Sequence, residues 1–510
     1  MSFRDLPDLA SERLGGAAIA ANDEFFAPKE NLVKASKAVF LEHEYTDRGK
    51  WMDGWETRRC RTPSFDWCIV RLGLPGVVRG VVVDTAFFRG NYPEHCSIEA
   101  CAARPDAPVD VLLSPATRWV EILPKSPLQG NSENLFAIAS SQRFTHLRLN
   151  IFPDGGVARL RVHGEATADW RRLGRPGVEI DLADVENGGA VPACSDMFFG
   201  VRHNLIMPGR APNMGDGWET RRRRGPGHDW ALIALAAQGE LRRIEVDTNH
   251  FKGNYPDTAM IEGIDAAGRS ADELLGAADW REVVPRVKLQ AHTRHHFEEE
   301  LAHAGPFTHL RLNIYPDGGV SRLRVWGVVT REGAAAQRLR RLNALGREEC
   351  VEELRAACGA SAWAARLADT RPFTNADALF AAADQVFEAL GPDDWHEAFR
   401  AHPRIGETRA GTDATDATDN GQAARRWSSE EQSGVRGAEQ ETLEALAAGN
   451  RAYEEKFGHI YLVCATGKSA AEMLAILQER LAHTPEEELG TAAAEQRKIT
   501  RIRLEKLLRG

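Results

Sequence analysis

The sequence predicts a multidomain chain in which two tandem all-β jelly-roll domains precede an all-α domain. Three observations carry that expectation. FTHLRLNIFPDGG, starting at Phe144, returns as FTHLRLNIYPDGG at Phe307, identical in twelve of thirteen places. The segments around both copies are β-branched, alternating and broken by Gly and Pro turns. After Thr330 the texture changes to Ala, Leu, Arg and Glu, with apolar residues at helical spacing. A chain of 510 residues also exceeds a single hydrophobic core, and at about 100 to 200 residues per domain it divides into roughly three.

The repeat has a fixed period. DGWETRR begins at Asp53 and again at Asp216, VDTAFFRGNYPE at Val83 returns as VDTNHFKGNYPD at Val246, and all three phrases are offset by 163 residues. RWVEILP at Arg118 answers DWREVVP at Asp279 across a two-residue deletion that is recovered before Phe307. DEFFAPKENLV at Asp23 answers DMFFGVRHNLI at Asp196, so the first copy carries ten extra residues around FLEHEYTDRGK. Two copies of about 160 residues are homologous domains, spanning 1–172 and 173–332, and no solenoid of short units.

Within each copy the elements read as strands. VRGVVVDTAFF and LRRIEVDTNHF are β-branched runs. HLRLNIYPDGGVSRLRVWG is two alternating segments around a Pro-Asp-Gly-Gly turn, which predicts a closing hairpin because Pro fixes one backbone angle while Asp and Gly supply the positive φ of a tight reversal. Leu147, Leu149 and Ile151 alternate with Arg148 and Asn150, placing one face in a core and the other outward. Short strands with Gly and Pro turns point to a β-sandwich or jelly roll. Residues 333–510 read as helices, interrupted at Gly406 by GETRAGTDATDATDNGQAARR, whose polar, low-complexity composition predicts a mobile loop.

Composition excludes several classes of function. The net charge of -10 argues against nucleic-acid binding, which needs a basic surface. The eight cysteines form no C-x-x-C pair and read as reduced thiols. No apolar stretch approaches a membrane span, the N-terminus lacks the apolar centre of a signal peptide and the C-terminus lacks a peroxisomal tripeptide, so a cytoplasmic protein is expected.

The repeated loops hold the chemistry-bearing residues of the β copies. In one reading Trp55, Trp218, Tyr92 and Tyr255 cap the core and the acid–arginine pairs fasten loops. In the other, Arg58 or Arg221 grips a carboxylate through its bidentate fork while Glu56 or Glu219 handles a proton or water, which suits a small, anionic, hydrogen-bond-rich substrate. The copies also differ: His250 stands where the first has Phe87, and His95 where the second has Thr258. The run HTRHHF from His292 reads as a solvated turn ahead of a metal site, since no H-E-x-x-H or comparable ligand pattern occurs. In the helical region, His402 precedes Pro403, where a helix must end or turn, and WSSEEQSG from Trp427 has the signature of a capped helix start. A His beside an acid on such a helix start forms a proton-transfer pair; by spacing alone, a lone His-Pro is structural more often than catalytic and a capping Glu usually only caps.

With DGWETRR, VDTNHFKGNYPD and FTHLRLNIYPDGG, residues of about 15–332 resemble the allantoicase family. That resemblance implies tandem galactose-binding-like jelly rolls, an oligomeric assembly, and hydrolysis of allantoate to ureidoglycolate and urea. Allantoate is a carboxylate bearing two ureido groups, which fits the arginine-plus-acid reading. The candidate set in the repeats is then Glu56, His95, Glu219 and His250 for proton transfer, with Arg58, Asp84, Arg221 and Asp247 for substrate. Hydrolysis of a ureido bond admits a divalent metal, and the residues alone leave its requirement open.

RPF at Arg371, HPRIG, WSSEEQSG and FGHIYLVCATGKS make residues of about 339–508 similar to the OHCU decarboxylase family, which acts on 2-oxo-4-hydroxy-4-carboxy-5-ureidoimidazoline. The resemblance implies an all-helical domain in which His402 is the proton donor and Pro403 lines the substrate. It places Glu431 near the imidazole, with Ser428 and Gln432 in the same segment. It assigns substrate contact to His459, Ile460, Tyr461, Leu462 and Val463 and to Arg503 on the last helix. His459 departs from the aromatic or aliphatic residue expected at its position. Loss of carbon dioxide leaves electron density that the substrate ring delocalises, so no cofactor is required. The combined reading is a bifunctional ureide-catabolism enzyme with small-molecule substrates; the alternative makes the β repeats a carbohydrate- or ligand-binding module attached to a decarboxylase. The duplicated acid–arginine loops favour catalysis.

Overall fold

One 19-residue strand organises each β repeat, Asp66–Asp84 in the first and Asp229–Asp247 in the second. Its first half, from Asp66 to Arg71, pairs antiparallel with Ala17–Ala21 on one side and Arg143–Phe152 on the other. His95–Cys101 and Val120–Pro127 extend that sheet. Its second half, from Gly76 to Asp84, pairs instead with Arg159–Ala166 and Glu133–Ala137. The register breaks between Arg71 and Gly76, beyond which only Gly76 and Val77 still face Phe144 and Arg143. Gly76 is needed at that break, because a Cβ there would lie 2.4 Å from the Glu165 carbonyl oxygen. The second repeat follows the same plan: Phe307–Tyr315 pairs with the first half of its long strand and Arg322–Val329 with the second, around a break between Ala234 and Gly239. The structure is a computed structural model and describes residues 2–62, 64–175, 177–404, 426–427 and 440–509. The chain divides into the units Met1–Gln337 and Arg338–Gly510, so the β repeats share one unit.

The Pro-Asp-Gly-Gly turn does not close a hairpin. Arg143–Phe152 and Arg159–Ala166 each pair with the long strand, overlapping only at Gly76 and Val77, and not with each other. The turn is pinned from outside: Thr57 donates its amide to the Gly155 carbonyl at 3.1 Å and Gly156 donates to the Asn91 carbonyl at 2.8 Å, while the Cys60 amide donates to Asp154 at 2.7 Å. Turn chemistry encodes the reversal but not the partner. The alternation in the preceding strand also needs correction. Leu147, Leu149 and Ile151 are buried as expected, and so is Asn150, whose Nδ2 donates to Ser97 Oγ at 3.1 Å and Glu99 Oε2 at 3.0 Å.

The buried core of this unit contains two charged anchors. Arg159, about fully enclosed, donates to the carbonyls of Ser36, Asp53 and Ala158 and to the Asp53 carboxylate at 2.7 Å. Arg322 does the same in the second repeat with Gly209, Asn204, Asp216 and Ser321 carbonyls and the Asp216 carboxylate at 2.8 Å. Each guanidinium therefore ties the loop that begins DGWE to the last strand. The histidines of the FTHL phrase are scaffold: His146 and His309 share hydrogen bonds with Thr145 and Thr308 at 2.9 and 3.0 Å. Burial pushes both imidazoles down to about 4.

The second unit is helical, with Arg347–Arg355, Ser361–Asp369, Ala376–Glu388, Pro392–Arg400, Gln440–Phe457, Ala470–Arg480 and Pro485–Arg509. The helix Arg331–Ala344 precedes these in the chain. Local sequence sets the starts. Asn375 caps one helix through Ala378 N at 2.9 Å, Ser469 and Glu472 form a capping box, and Pro392 occupies the first turn of another, where its missing N–H costs nothing. The low-complexity stretch from Gly406 and most of WSSEEQSG lie outside the described residues. Among the described residues, no helix is long and apolar enough to cross a membrane.

Two stability outcomes follow from these anchors. Arg159→Ala leaves Asp53 without its buried partner, and breaking such a pair from one side costs about 3–5 kcal/mol, readable as a lower denaturation midpoint of the β unit. Because His146 and His309 stay neutral in the fold and titrate near 6.5 when unfolded, the unfolded chain takes up protons first on acidification. Stability therefore falls from pH 6.5 down to about 4, at ~1.4 kcal/mol per pH unit for each ring. Denaturation midpoints of wild type and His309→Asn across that range measure the slope, which the variant should flatten.

Candidate active sites

In each repeat the phrases that recur in the sequence meet around one carboxylate. Trp55–Glu56 pairs with Gly156–Val157, and Trp218–Glu219 with Gly319–Val320. The fully buried Trp55 and Trp218 hold these short strands, each indole donating at 2.8 Å to the carbonyl of Asp23 or Asp196. Glu56 accepts from Asn91 Nδ2 at 2.7 Å, and Glu219 accepts from Asn254 Nδ2. The two asparagines belong to the GNYP phrases, and their own carbonyls hold Gly156 and Gly319 at 2.8 Å. Gly155 at φ 138° brings its backbone so close that a Cβ would lie 2.7 Å from Pro93 N and 2.8 Å from Asn91 O. DGWE, GNYP and PDGG thus form one cluster per repeat.

The arginines lie beside it. Arg58 Nε donates to Asp23 Oδ2 at 2.6 Å and its guanidinium lies 5.3 Å from the Phe25 ring centre. Arg221 Nε donates to Asp196 Oδ1 at 3.1 Å, with Phe198 at 5.2 Å. Both arginine side chains are about two-thirds exposed, at 64% and 66%. Burial pushes the Asp23 and Asp196 carboxyls up, but amide and arginine hydrogen bonds outweigh it and hold both below their ordinary value. Burial raises the Glu56 carboxyl, and the Asn91 hydrogen bond only partly offsets this.

The other candidates sit elsewhere. Asp84 and Asp247 end the long strands and accept the amides two residues on, Ala86 N at 2.8 Å and Asn249 N at 2.7 Å, which is a turn-forming role. Burial raises both carboxyls. His95 opens the strand His95–Cys101 and is half-buried, with its backbone opposite Phe152 and Pro127. His250 adopts a left-handed φ of 70°, bonds Ala211 O through Nε2 at 2.9 Å, and donates its amide to His292 Nδ1 at 2.8 Å. Phe87 occupies the matching position at φ 68° and stacks on Phe40 at 5.6 Å. In HTRHHF both ring nitrogens of His295 are engaged by Val246 O and Gln290 N. Among the described residues, no group of three or more His, Cys, Asp or Glu is placed to hold a metal ion. Asn91, Asn254, Asp23 and Asp196 escaped the sequence reading, although each lies inside a repeated phrase.

In the helical unit, His402 follows the helix Pro392–Arg400, its amide donating to Phe399 O at 3.1 Å. Its Nδ1 lies 3.4 Å from Arg503 Nη2 on the last helix, and both side chains are buried. Burial and the Arg503 charge hold the imidazole well below its ordinary value, against the smaller opposing effect of the Gln496 side chain, which favours the protonated ring. Pro403 is half-buried beside it. The irregular segment from His459 to Val463 is also largely buried. His459 sits among the rings of His396, Phe399, Tyr453 and Phe457, 5.2 to 6.3 Å away, so its imidazole fills an aromatic position. Phe399 is thus a common neighbour of His402 and His459. The His459 Nδ1 lies 3.1 Å from Ile460 O. Tyr461 donates to Met473 O at 3.1 Å, and Arg480 grips Leu462 O at 2.7 Å. Arg480 is itself held by the fully buried Glu488 at 2.8 Å, and Val463 packs in the same apolar cluster as Tyr461. Ser428, Glu431 and Gln432 lie outside the described residues.

The family model described as allantoicase repeat matches residues 7–167 and 180–330. The chain belongs to the allantoicase family. A probable allantoicase of Burkholderia mallei is 51% identical over 323 residues, covering 63% of this chain and 94% of the relative. The crystal structure of an allantoicase from Saccharomyces cerevisiae is 36% identical, covers 63% of this chain and 92% of its own, and superposes with a TM-score of 0.51. Residues 343–505 match the family model described as OHCU decarboxylase, so this allantoicase-family chain continues into an OHCU decarboxylase domain. A solved OHCU decarboxylase, crystallised in the presence of (S)-allantoin, is 34% identical over 31% of this chain and 97% of its own, with a TM-score of 0.26.

The Glu56 environment makes a direct titration prediction. Its carboxyl should lose its proton at a pH above the ordinary 4.5, and Asn91→Ala, which removes the hydrogen bond that favours the anion, should move it higher. Carboxyl-carbon NMR of the two proteins checks both shifts.

Proposed function

We propose that the allantoicase repeats hydrolyse allantoate to ureidoglycolate and urea, and that the OHCU decarboxylase domain converts 2-oxo-4-hydroxy-4-carboxy-5-ureidoimidazoline to (S)-allantoin. The observation that carries the first half is the recurrence, in both repeats, of a carboxylate oriented by an asparagine with an arginine two residues along the chain. On this reading each arginine, two residues beyond the glutamate that ends its short strand, faces the same substrate. The guanidinium nitrogens not used by Asp23 or Asp196 grip the allantoate carboxylate. The glutamate takes a proton from the attacking water and returns it to the departing ureido nitrogen.

For the decarboxylase, His402 enters the reaction as a neutral imidazole because burial and Arg503 disfavour its charge. Arg503 is the fixed positive charge available to the substrate carboxylate. That carboxylate in turn supplies the negative charge that lets the imidazole take up a proton, which it delivers to one face of the ring once carbon dioxide has left. Such a donor contributes about 10²- to 10⁴-fold, with orientation supplying much of the remainder. The decarboxylase forms allantoin while the hydrolase consumes its ring-opened acid, so neither site takes the other's product directly.

His402→Ala should abolish formation of (S)-allantoin, followed by circular dichroism, while urea release from allantoate by the same chain is unchanged. Near-normal decarboxylation by the purified variant would show that His402 is not the proton donor. Failure of the wild-type chain to release urea from allantoate, with or without divalent metal, would leave the repeats as a binding module.

A further inference from the structure

The aspartate that opens each DGWE phrase takes two cations. In the first repeat Asp53 holds Arg159 at 2.7 Å and Lys34 Nζ at 3.2 Å, both from its own repeat. In the second, Asp216 holds Arg322 at 2.8 Å, but the position matching Lys34 is Met207, which has no charge to offer. The second cation comes from the other repeat: Arg13 Nη2 is in direct contact with Asp216 Oδ1. Arg13 Nη1 also donates to Asn204 Oδ1 at 3.2 Å, and Asn204 Nδ2 holds the Gly217 carbonyl at 3.0 Å. Gly217 immediately precedes Trp218 and Glu219. Arg13 therefore holds both side chains that fix the start of the second acid loop.

The contact has no counterpart by symmetry. Arg13 lies in the turn Glu12–Leu14, whose match in the second repeat is Val185–Asn187. The residue matching Arg13 there is Glu186, an acid that cannot pair with Asp53.

We infer that Arg13 is a positioning residue for the second hydrolytic site, so that the first repeat completes the geometry of Glu219 while the first site is completed from within its own repeat by Lys34. This rests on the reading of Glu56 and Glu219 as the acids of the two sites. Asp216 is 10% exposed and Arg13 31%, so the pair is partly shielded from water and the second bond of Arg13, to Asn204, fixes its direction; displacement of a proton-transferring carboxylate by a fraction of an ångström falls on the chemical step.

The test uses the full chain and urea release from allantoate. Glu56→Gln leaves the second site alone and Glu219→Gln leaves the first. In the Glu56→Gln background, Arg13→Ala should lower kcat on the order of tenfold with KM little changed, and Arg13→Lys should restore most of it. In the Glu219→Gln background, Arg13→Ala should stay within about twofold, while Lys34→Ala should show the opposite pattern. The first site thereby reports whether the unit remains folded. Arg13→Gln, which keeps a donor for Asn204 but drops the charge, repeats the comparison with a milder change. Equal losses at both sites, or none at either, overturn the inference. A Glu56→Gln chain that releases no urea overturns the assignment of Glu219 and the inference with it; one that works but ignores Arg13 overturns the inference alone.

Discussion

The buried guanidinium in each repeat is the constraint on which the β unit depends. Arg159 and Arg322 reach from the last strand into the DGWE loop and occupy carbonyls that no regular strand pairing would satisfy. An unpaired carbonyl or carboxylate at that depth is costly, so loop, aspartate and final strand stand or fall together. Everything that matters for chemistry is hung on this fixture: Trp55 and Trp218 enter the core just beyond it, and Glu56 and Glu219 emerge one residue later. The acid is presented by a loop, yet the loop has the rigidity of the core.

Much of the architecture was legible in the residues. Two repeats, their β character and the change to helices after Thr330 follow from periodicity and an offset, both of which are local or self-referential signals. The failed expectation concerned partnership. Pro153, Asp154 and Gly155 encode a reversal, but nothing nearby in sequence states that Arg143–Phe152 and Arg159–Ala166 each pair with one long strand and not with each other. Asn150 likewise looked outward because alternation says nothing of the Ser97 and Glu99 that receive it.

The sites divide along the same line. Glu56, Glu219, Arg58 and Arg221 were found because a repeated charged phrase between apolar runs is visible in a string of letters. Asn91 and Asn254 were passed over because an amide in a turn has an obvious structural use, and only the fold shows its Nδ2 turned to the acid. Asp84 and Asp247 show the reverse: they stood out as repeated acids, and in the fold they brace their own turns. In the helical unit the motif residues His402 and Arg503, about a hundred positions apart in the chain, are neighbours, whereas the cage around His459 depended on rings from two other segments, Pro392–Arg400 and Gln440–Phe457.

The long shared strand also governs the order in which the protein is made. Leu9 donates its amide to Val162, Ala17–Ala21 waits for Cys68–Arg71, and the second half of the strand waits for Arg159–Ala166. Nearly every stabilising contact of the first repeat is non-local, a topology that folds slowly because loop closure precedes its reward. During synthesis the first repeat cannot close until its last strand has left the ribosome, and until then strand edges stand open to wrong partners. The helices of the C-terminal unit are built from local contacts and carry no such delay within each element.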